Sequence, residues 1–309
     1  MSPRDLRDLI GYRVVAVHAH PDDEAISTGG ALAHLARRGA DVTVVTCTLG
    51  EEGEAIGDTY AHLVNDESDQ LGGFRISELR EALALLGVRG VHLGGAGRFR
   101  DSGMAGSPAH ANPRAFVNSG DEAVDLLAEI LEDIRPHLVI TYGPDGGYGH
   151  PDHIRAHEIT HAAADRVGVP RILWAVLDLA EQTDGVERIG TVPTGWAVPD
   201  EAYLRNAGVD THDLALELTD AELNAKREAM RAHATQVWIA DGYVSDTNPQ
   251  AAWATGPDPV FALSNLLAQP ILRREHYQLG AGELPEADLL GGPGLLDGIP
   301  LHPVAEDGQ

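Results

Sequence analysis

The chain has 309 residues, 43% of them hydrophobic, and a single cysteine, Cys47. That is enough for one large α/β domain, or a core with a smaller second part; it excludes wholesale disorder and any intramolecular disulfide, and fits a reducing cytoplasm. A formal net charge of −26 opposes nucleic acid and anionic membrane surfaces as general partners, because like charges repel.

The opening MSPRDLRDLIGYRVVAVHAH puts Arg4, Asp5, Arg7 and Asp8 where a signal peptide needs its apolar run. No apolar stretch approaches the ~20 residues of a membrane span. A soluble, cytoplasmic protein is expected. VVAVHAH (14–20) predicts a first strand and runs into Pro21, Asp22, Asp23 and Glu24. Ala25, Ile26, Leu32, Leu35 and Ala36 then recur at helical spacing, with Gly39 placed as a C′ glycine. VTVVTCT (42–48) predicts the next strand, so the start of the chain is a βαβ unit with parallel pairing. Further on, a helix is expected near 77–86, a short strand at 91–93, a helix over 121–134 and the strand LVITY at 138–142. A helix then starts near Pro151, and RILWAV (171–176) reads as a strand.

After about residue 180 the alternation becomes irregular. AELNAKREAMRAH (221–233) predicts a helix, FALSNLLAQPIL (261–272) a docked apolar segment, and the Gly- and Pro-rich GGPGLLDGIPLHPVAEDGQ (291–309) a loose tail. The expected fold is a three-layer, Rossmann-like α/β core with a mostly parallel sheet over 1–180. Residues 181–309 form a smaller C-terminal portion that packs on it and completes the substrate pocket.

In an open parallel sheet, ligands bind beyond the carboxyl ends of the strands. Two predicted strands here end in metal-ligand residues: one runs into His20–Glu24, the other through a glycine-rich loop into His150, Pro151, Asp152 and His153. Each segment carries a proline at an expected first helical turn. A catalytic zinc takes three protein N and O ligands and keeps one position open. His20, Asp23 and His153 supply such a set and leave Asp22 free beside the water. One histidine alone reads more simply as a surface or capping residue, and paired aspartates as helix N-terminal residues favoured by the dipole. Two such segments at one sheet edge shift the balance to a shared cation. His18 reads as a packed strand-end histidine.

HAHPDDE (18–24) with the distal GHPDH (149–153) resembles the zinc-dependent de-N-acetylases that act on N-acetylglucosaminyl lipids and glycosides. VTVVTCTLGEEGE (42–54), QLGGFRISEL (70–79), GGAGRFRDSGMAG (94–106), TYGPDGGYGHPDH (141–153), HATQ (233–236) and ALSNLLAQPIL (262–272) extend the resemblance over nearly the whole chain, nearest to the mycothiol-biosynthesis branch. The resemblance implies one Zn²⁺ per chain, with Fe²⁺ able to occupy the same ligands, on His20, Asp23 and His153. It implies Asp22 as general acid/base, and His150 with Tyr148 and Asp152 as the group that polarises the amide and steadies the oxyanion. Asp152 is expected to hold the His150 ring and keep it charged. Arg75 and Asp101 fall on positions that hold sugar and inositol hydroxyls. The substrate implied is a small amino-sugar glycoside, N-acetylglucosaminyl-inositol, cleaved to acetate and glucosaminyl-inositol. The alternative inside the family is an amidase of mycothiol S-conjugates, which shares the glucosaminyl-inositol half; Ser27-Thr28-Gly29 and CTLGEEGE favour the deacetylase. The oligomeric state is not legible.

Three rival readings are weaker. HEITH (157–161) spells the H-E-x-x-H of zinc proteases, but Ala164 stands where the longer motif has glycine. Both histidines also lie one and two turns, ~5.4 Å each, beyond a metal held by His153 at ~2.1 Å. GGAGRFR lacks the last glycine of a dinucleotide fingerprint and does not follow the first strand. A non-enzymatic glycan binder has no use for an acid/base set. No G-x-S-x-G occurs, and Cys47 sits mid-strand, where core packing is the simpler role.

Overall fold

A computed structural model describes residues 7–285 and 294–301. The start of the N-terminal segment and most of the tail lie outside the described residues. The first half reads β1 (Arg13–His18), α1 (Asp23–Arg37), β2 (Asp41–Thr46), α2 (Leu71–Leu86), β3 (Arg89–His92), α3 (Gly120–Ile134) and β4 (Leu138–Tyr142). There follow a short turn of helix α4 (Gly146–Gly149), α5 (Pro151–Val167), β5 (Ile172–Asp178), α6 (Leu179–Glu187), α7 (Glu201–Ala207), β6 (Gly208–Val209) and β7 (Leu214–Glu217). The last elements are α8 (Asp220–Ala232), β8 (Trp238–Ile239), β9 (Val260–Ala262), β10 (Gln269–Pro270) and β11 (Arg274–Ala281).

The main sheet runs β3-β2-β1-β4-β5-β11-β7, with β6 beside β5. Its first five strands are parallel, and β11 joins β5 and β7 antiparallel. The mostly parallel α/β sheet expected from the βαβ pattern is the observed fold. Strands covered on both faces need apolar residues at every position, and β1 shows this. Val14 and Ala16 enter one core with Leu32, Leu35, Leu83 and Met230, while Val15 and Val17 enter the other with Leu127, Leu131 and Ile159. Helices α1, α2 and α8 cover the first face, and α3 with α5 covers the second. A third, smaller core around Trp196 and Ala262 sits at the separate sheet β10-β9-β8.

Helix α2 begins at Leu71, six residues before the expected start. Gly72 and Gly73 weaken the helical signal there, yet a Cβ on Gly72 would lie 2.7 Å from Glu51 Cγ, so the close approach requires glycine. The chain after 180 does more than pack on the core, because β7 and β11 extend the main sheet itself. The described part of the tail is docked, contrary to the loose tail expected. Leu295, Leu296 and Ile299 are buried in the first core, and the Tyr12 hydroxyl donates to Ile299 O at 2.8 Å. Three apolar side chains among glycines and prolines outweigh the composition.

Candidate metal centre and active site

Strand order changes direction between β1 and β4: β2 and β3 lie on one side, β5 on the other. Such a switch point opens a crevice at the carboxyl edge, and here His18 and Tyr142 end the two strands. His20–Glu24 leave β1 into α1, and the GPDGGYG loop leaves β4 into α5. Pro151 opens α5 as expected, whereas Pro21 precedes the α1 N-cap, Asp22. Asp22 adopts φ 118°, a conformation that costs a non-glycine residue ~1–3 kcal/mol. The Glu24 carboxylate holds it there by accepting from the Asp22 N–H at 3.0 Å. At the β4 end, Gly146 takes φ +68°, and a Cβ there would lie 2.9 Å from the Cβ of His153, so the loop folds tightly against α5.

The three expected ligands converge. His20 Nδ1 lies 3.3 Å from Asp23 Oδ2, His153 Nε2 is 3.4 Å from Asp23 Oδ1, and the two ring nitrogens are 3.3 Å apart. Donors placed ~2.1 Å from a tetrahedral ion stand about 3.4 Å from one another, so the two ring nitrogens are spaced for one small cation, with a different Asp23 oxygen beside each. The surroundings select the donor atoms. His153 Nδ1 faces Gly146 O at 3.0 Å, and His20 Nε2 faces Asp152 Oδ2 at 3.3 Å. With protons on those nitrogens, His153 Nε2 and His20 Nδ1 present lone pairs inward. Asp23 Oδ2 accepts from the Tyr142 hydroxyl at 2.7 Å and from His20 N at 2.9 Å, which leaves Oδ1 towards the cluster. Burial pushes the Asp23 carboxyl up, but His153 and His20 hold it well below its usual range. A dication suits such a carboxylate.

Asp22 stays outside this triad. Its Oδ2 lies 3.2 Å from the Arg75 guanidinium, and burial, opposed by Arg75, raises its pKa to about 6. His150 stands across the cluster, its ring 4.6 Å from His20 and 4.9 Å from His153. Its Nδ1 caps α5 by accepting from Asp152 N at 3.1 Å, so the neutral ring carries its proton on Nε2. Burial and the neighbouring His20 and His153 press its pKa to about 3. Tyr148, 44% exposed, sets its ring 6.0 Å from that of His150.

Asp152 requires a correction. Its carboxylate accepts from His20 Nε2 and from Ser102 N at 2.9 Å; only its backbone meets His150. The carboxylate therefore orients the His20 ring and makes no contact with that of His150. Residue i+2 on a helical first turn points away from the N-cap side chain, which is why proximity in sequence misled. Arg75 is 3% exposed and donates to Gly50 O at 2.9 Å and to Pro21 O. Asp101 accepts from Gly103 N at 2.8 Å and Glu52 N at 3.2 Å, and lies 3.6 Å from His20 Nε2.

Sequence reasoning passed over Tyr142, Glu24 and His233. Tyr142 binds Asp23 and also accepts from Ala19 N at 2.8 Å, tying β4 to the His20 loop. A tyrosine closing an otherwise aliphatic strand at the predicted site edge was the available signal. Glu24 Oε1 meets His233 Nε2 at 2.6 Å, across 209 residues, and no local pattern pairs them. His18 is a packed histidine as expected, bonded to the Thr28 hydroxyl at 3.0 Å. The HEITH histidines are occupied elsewhere. His157 Nδ1 meets Tyr142 O at 2.9 Å, His161 Nε2 accepts from Trp174 Nε1 at 2.9 Å, and the exposed Glu158 pairs with Arg155.

Residues 15–164 match the family model described as PIG-L: GlcNAc-PI de-N-acetylase. A protein of Corynebacterium efficiens named 1D-myo-inositol 2-acetamido-2-deoxy-alpha-D-glucopyranoside deacetylase is 65% identical over 290 residues, covering 92% of this chain and 93% of its own. A protein of the same name from Corynebacterium glutamicum strain R is 63% identical, covering 94% and 98%. Among solved structures, a teicoplanin-biosynthesis deacetylase bound to teicoplanin shares the fold at a TM-score of 0.50 and 17% identity, covering 87% of this chain and 98% of that one. The family match runs from β1, which delivers His20, through the helix that carries His153, and the relatives align along nearly the full length: the chain belongs to the PIG-L family of GlcNAc-PI de-N-acetylases.

Proposed function

We propose that the protein is a zinc-dependent amidohydrolase that removes the acetyl group from N-acetylglucosaminyl-inositol in mycothiol biosynthesis. The observation that carries the chemistry is the pair of ring nitrogens of His20 and His153 3.3 Å apart, each with an Asp23 oxygen at 3.3–3.4 Å, beside the Asp22 carboxylate, which has one oxygen on Arg75. The substrate rests on the names of relatives aligned along nearly the whole chain. His20, Asp23 and His153 would hold the ion, one per chain at this centre. When bound, zinc supplies Lewis-acid activation of the amide carbonyl and of water.

The chain's own groups handle the protons. Asp22, with a pKa near 6, is matched to accepting the proton of water as its oxygen bonds to the acetyl carbon. Arg75 steadies one Asp22 oxygen and leaves the other free to work. His150 donates from Nε2 to the carbonyl oxygen as negative charge builds there. A neutral imidazole suffices for this, and one such donor is worth ~2.7–4 kcal/mol in comparable sites. Tyr148, on the glycine-rich loop, flanks that oxygen. Asp22 then returns its proton to the nitrogen as the C–N bond breaks, which yields acetate and an amine. Arg75 and Asp101 hold sugar and inositol hydroxyls; both are engaged with backbone groups, so a hydroxyl shares those contacts. Residues after 180 close the pocket, with His233 of the C-terminal portion tied to Glu24 behind the acid/base residue.

The test is a side-by-side assay of N-acetylglucosaminyl-inositol and a mycothiol S-conjugate on metal-quantified protein. Faster acetate release from the first supports the deacetylase. Preferential cleavage of the conjugate shifts the assignment to the amidase of the same family.

A further inference from the structure

A second group of metal-type donors lies one strand beyond the active site. Asp178 ends β5 and caps α6, with Oδ1 accepting from Glu181 N at 2.9 Å and Oδ2 facing His212 Nδ1 at 2.9 Å. His212 precedes β7, and its ring centre is 4.5 Å from that of His276 on β11. His276 pairs in register with Val176, two residues before Asp178, so strand alternation puts His276 and Asp178 on the same face. All three donors lie within 4.8 Å of one another.

His276 gives the independent sign of a ligand. It is 3% exposed, and its Nε2 has no hydrogen-bond partner, although Glu181 Oε1 stands 3.5 Å away. A buried ring nitrogen without a partner is costly, and a cation at this point would satisfy it.

We propose that Asp178, His212 and His276, with Glu181 as the fourth donor, form a second divalent-metal site of the type that takes zinc. Two imidazoles and two carboxylates make a closed N₂O₂ set, which is structural rather than catalytic. The ion replaces the proton shared by His212 and Asp178, and the exposed His212 loop adjusts to set the donors at a tetrahedral edge of about 3.4 Å. Its effect is mechanical. It fastens the antiparallel strand β11 and the approach to β7 onto the end of β5, so the C-terminal portion is clipped to the parallel core. The expected load then rises from one ion per chain to two.

Chelator-stripped protein is titrated with zinc chloride, freed of excess ion and analysed for metal, alongside thermal unfolding. Wild type should retain about two zinc ions per chain and His212→Ala about one, with deacetylase activity within about twofold of wild type. Asp23→Asn should keep the ion at His276, and the double variant Asp23→Asn/His212→Ala should keep none. The thermal stabilisation by zinc that persists in Asp23→Asn should vanish in the double variant. His276→Gln repeats the test from the buried side; His212, on an exposed loop, keeps the test valid if that variant does not fold. Equal zinc retention by wild type and His212→Ala overturns this site and leaves the catalytic reading intact. Retention of both ions by Asp23→Asn sinks the catalytic ligand set instead.

Discussion

Replacing His233 by alanine tests whether the C-terminal portion sets the Asp22 carboxylate, the proposed acid/base group. Both His233 and Glu24 are fully buried, and their contact is 2.6 Å. The substitution leaves the Glu24 carboxylate in the core with one remaining bond, to Asp22 N. Removing one partner of a buried ion pair costs ~3–5 kcal/mol, or about 5–8 °C in Tm for a chain of this size. The cost reaches the site because the same carboxylate holds Asp22 at φ 118°. Once it shifts to find water or a new donor, Asp22 relaxes, and a ~1 Å displacement of a reacting group can cost about 100-fold. The loss should fall on kcat rather than KM, at unchanged metal content. His233→Gln, which restores a neutral donor, should recover most of both quantities. The pH dependence follows with opposite signs on the two partners. Burial lowers the His233 pKa, but Glu24 raises it on balance, so this share of stability is full below 6.5 and is lost as pH climbs through the raised value. Burial raises the Glu24 pKa, but His233 lowers it on balance, so that share is full above 4.5 and is lost on acidification. Urea denaturation across pH, with acetate release measured in parallel, checks both. A His233→Ala protein within ~1 kcal/mol of wild type, or one that retains full kcat, would refute the link.

His153→Ala should lose turnover and the zinc at the catalytic centre, as acetate release and metal analysis report; full occupancy of that centre would remove His153 from the ligands. Asp22→Asn should keep its zinc yet lose two to four powers of ten in kcat, while Asp23→Asn loses the ion of the catalytic centre; an exchange of these behaviours reverses the two roles. Glu158→Gln and His161→Ala should retain metal and stay within a small factor of wild-type kcat/KM, since changes at sites of this kind shift free energies by about 0.5 kcal/mol. A metal-replete but inactive Glu158→Gln beside an active Asp22→Asn would instead revive the protease helix.

The sequence alone determined the parallel core and the location of the site. Largely apolar runs such as VVAVH and LVITY mark strands buried on both faces, and the histidines and aspartates that follow, at once in one case and after a glycine-rich loop in the other, mark the sheet edge where ligands bind. The grouping of His20, Asp23 and His153 was legible because each belongs to a segment that leaves a strand end, His20 and Asp23 just after His18 and His153 at the start of the helix that follows the loop after Tyr142. The tertiary structure alone decided whatever depended on side-chain direction or on distant pairing. It turned the Asp152 carboxylate onto His20 instead of His150, brought His233 to Glu24, and docked Leu295 and Ile299 from a segment whose composition suggested a loop. It also placed β11 antiparallel beside β5, so that His276 meets Asp178. Periodicity encodes which face of an element is apolar, but which distant element covers that face is settled only when the layers pack.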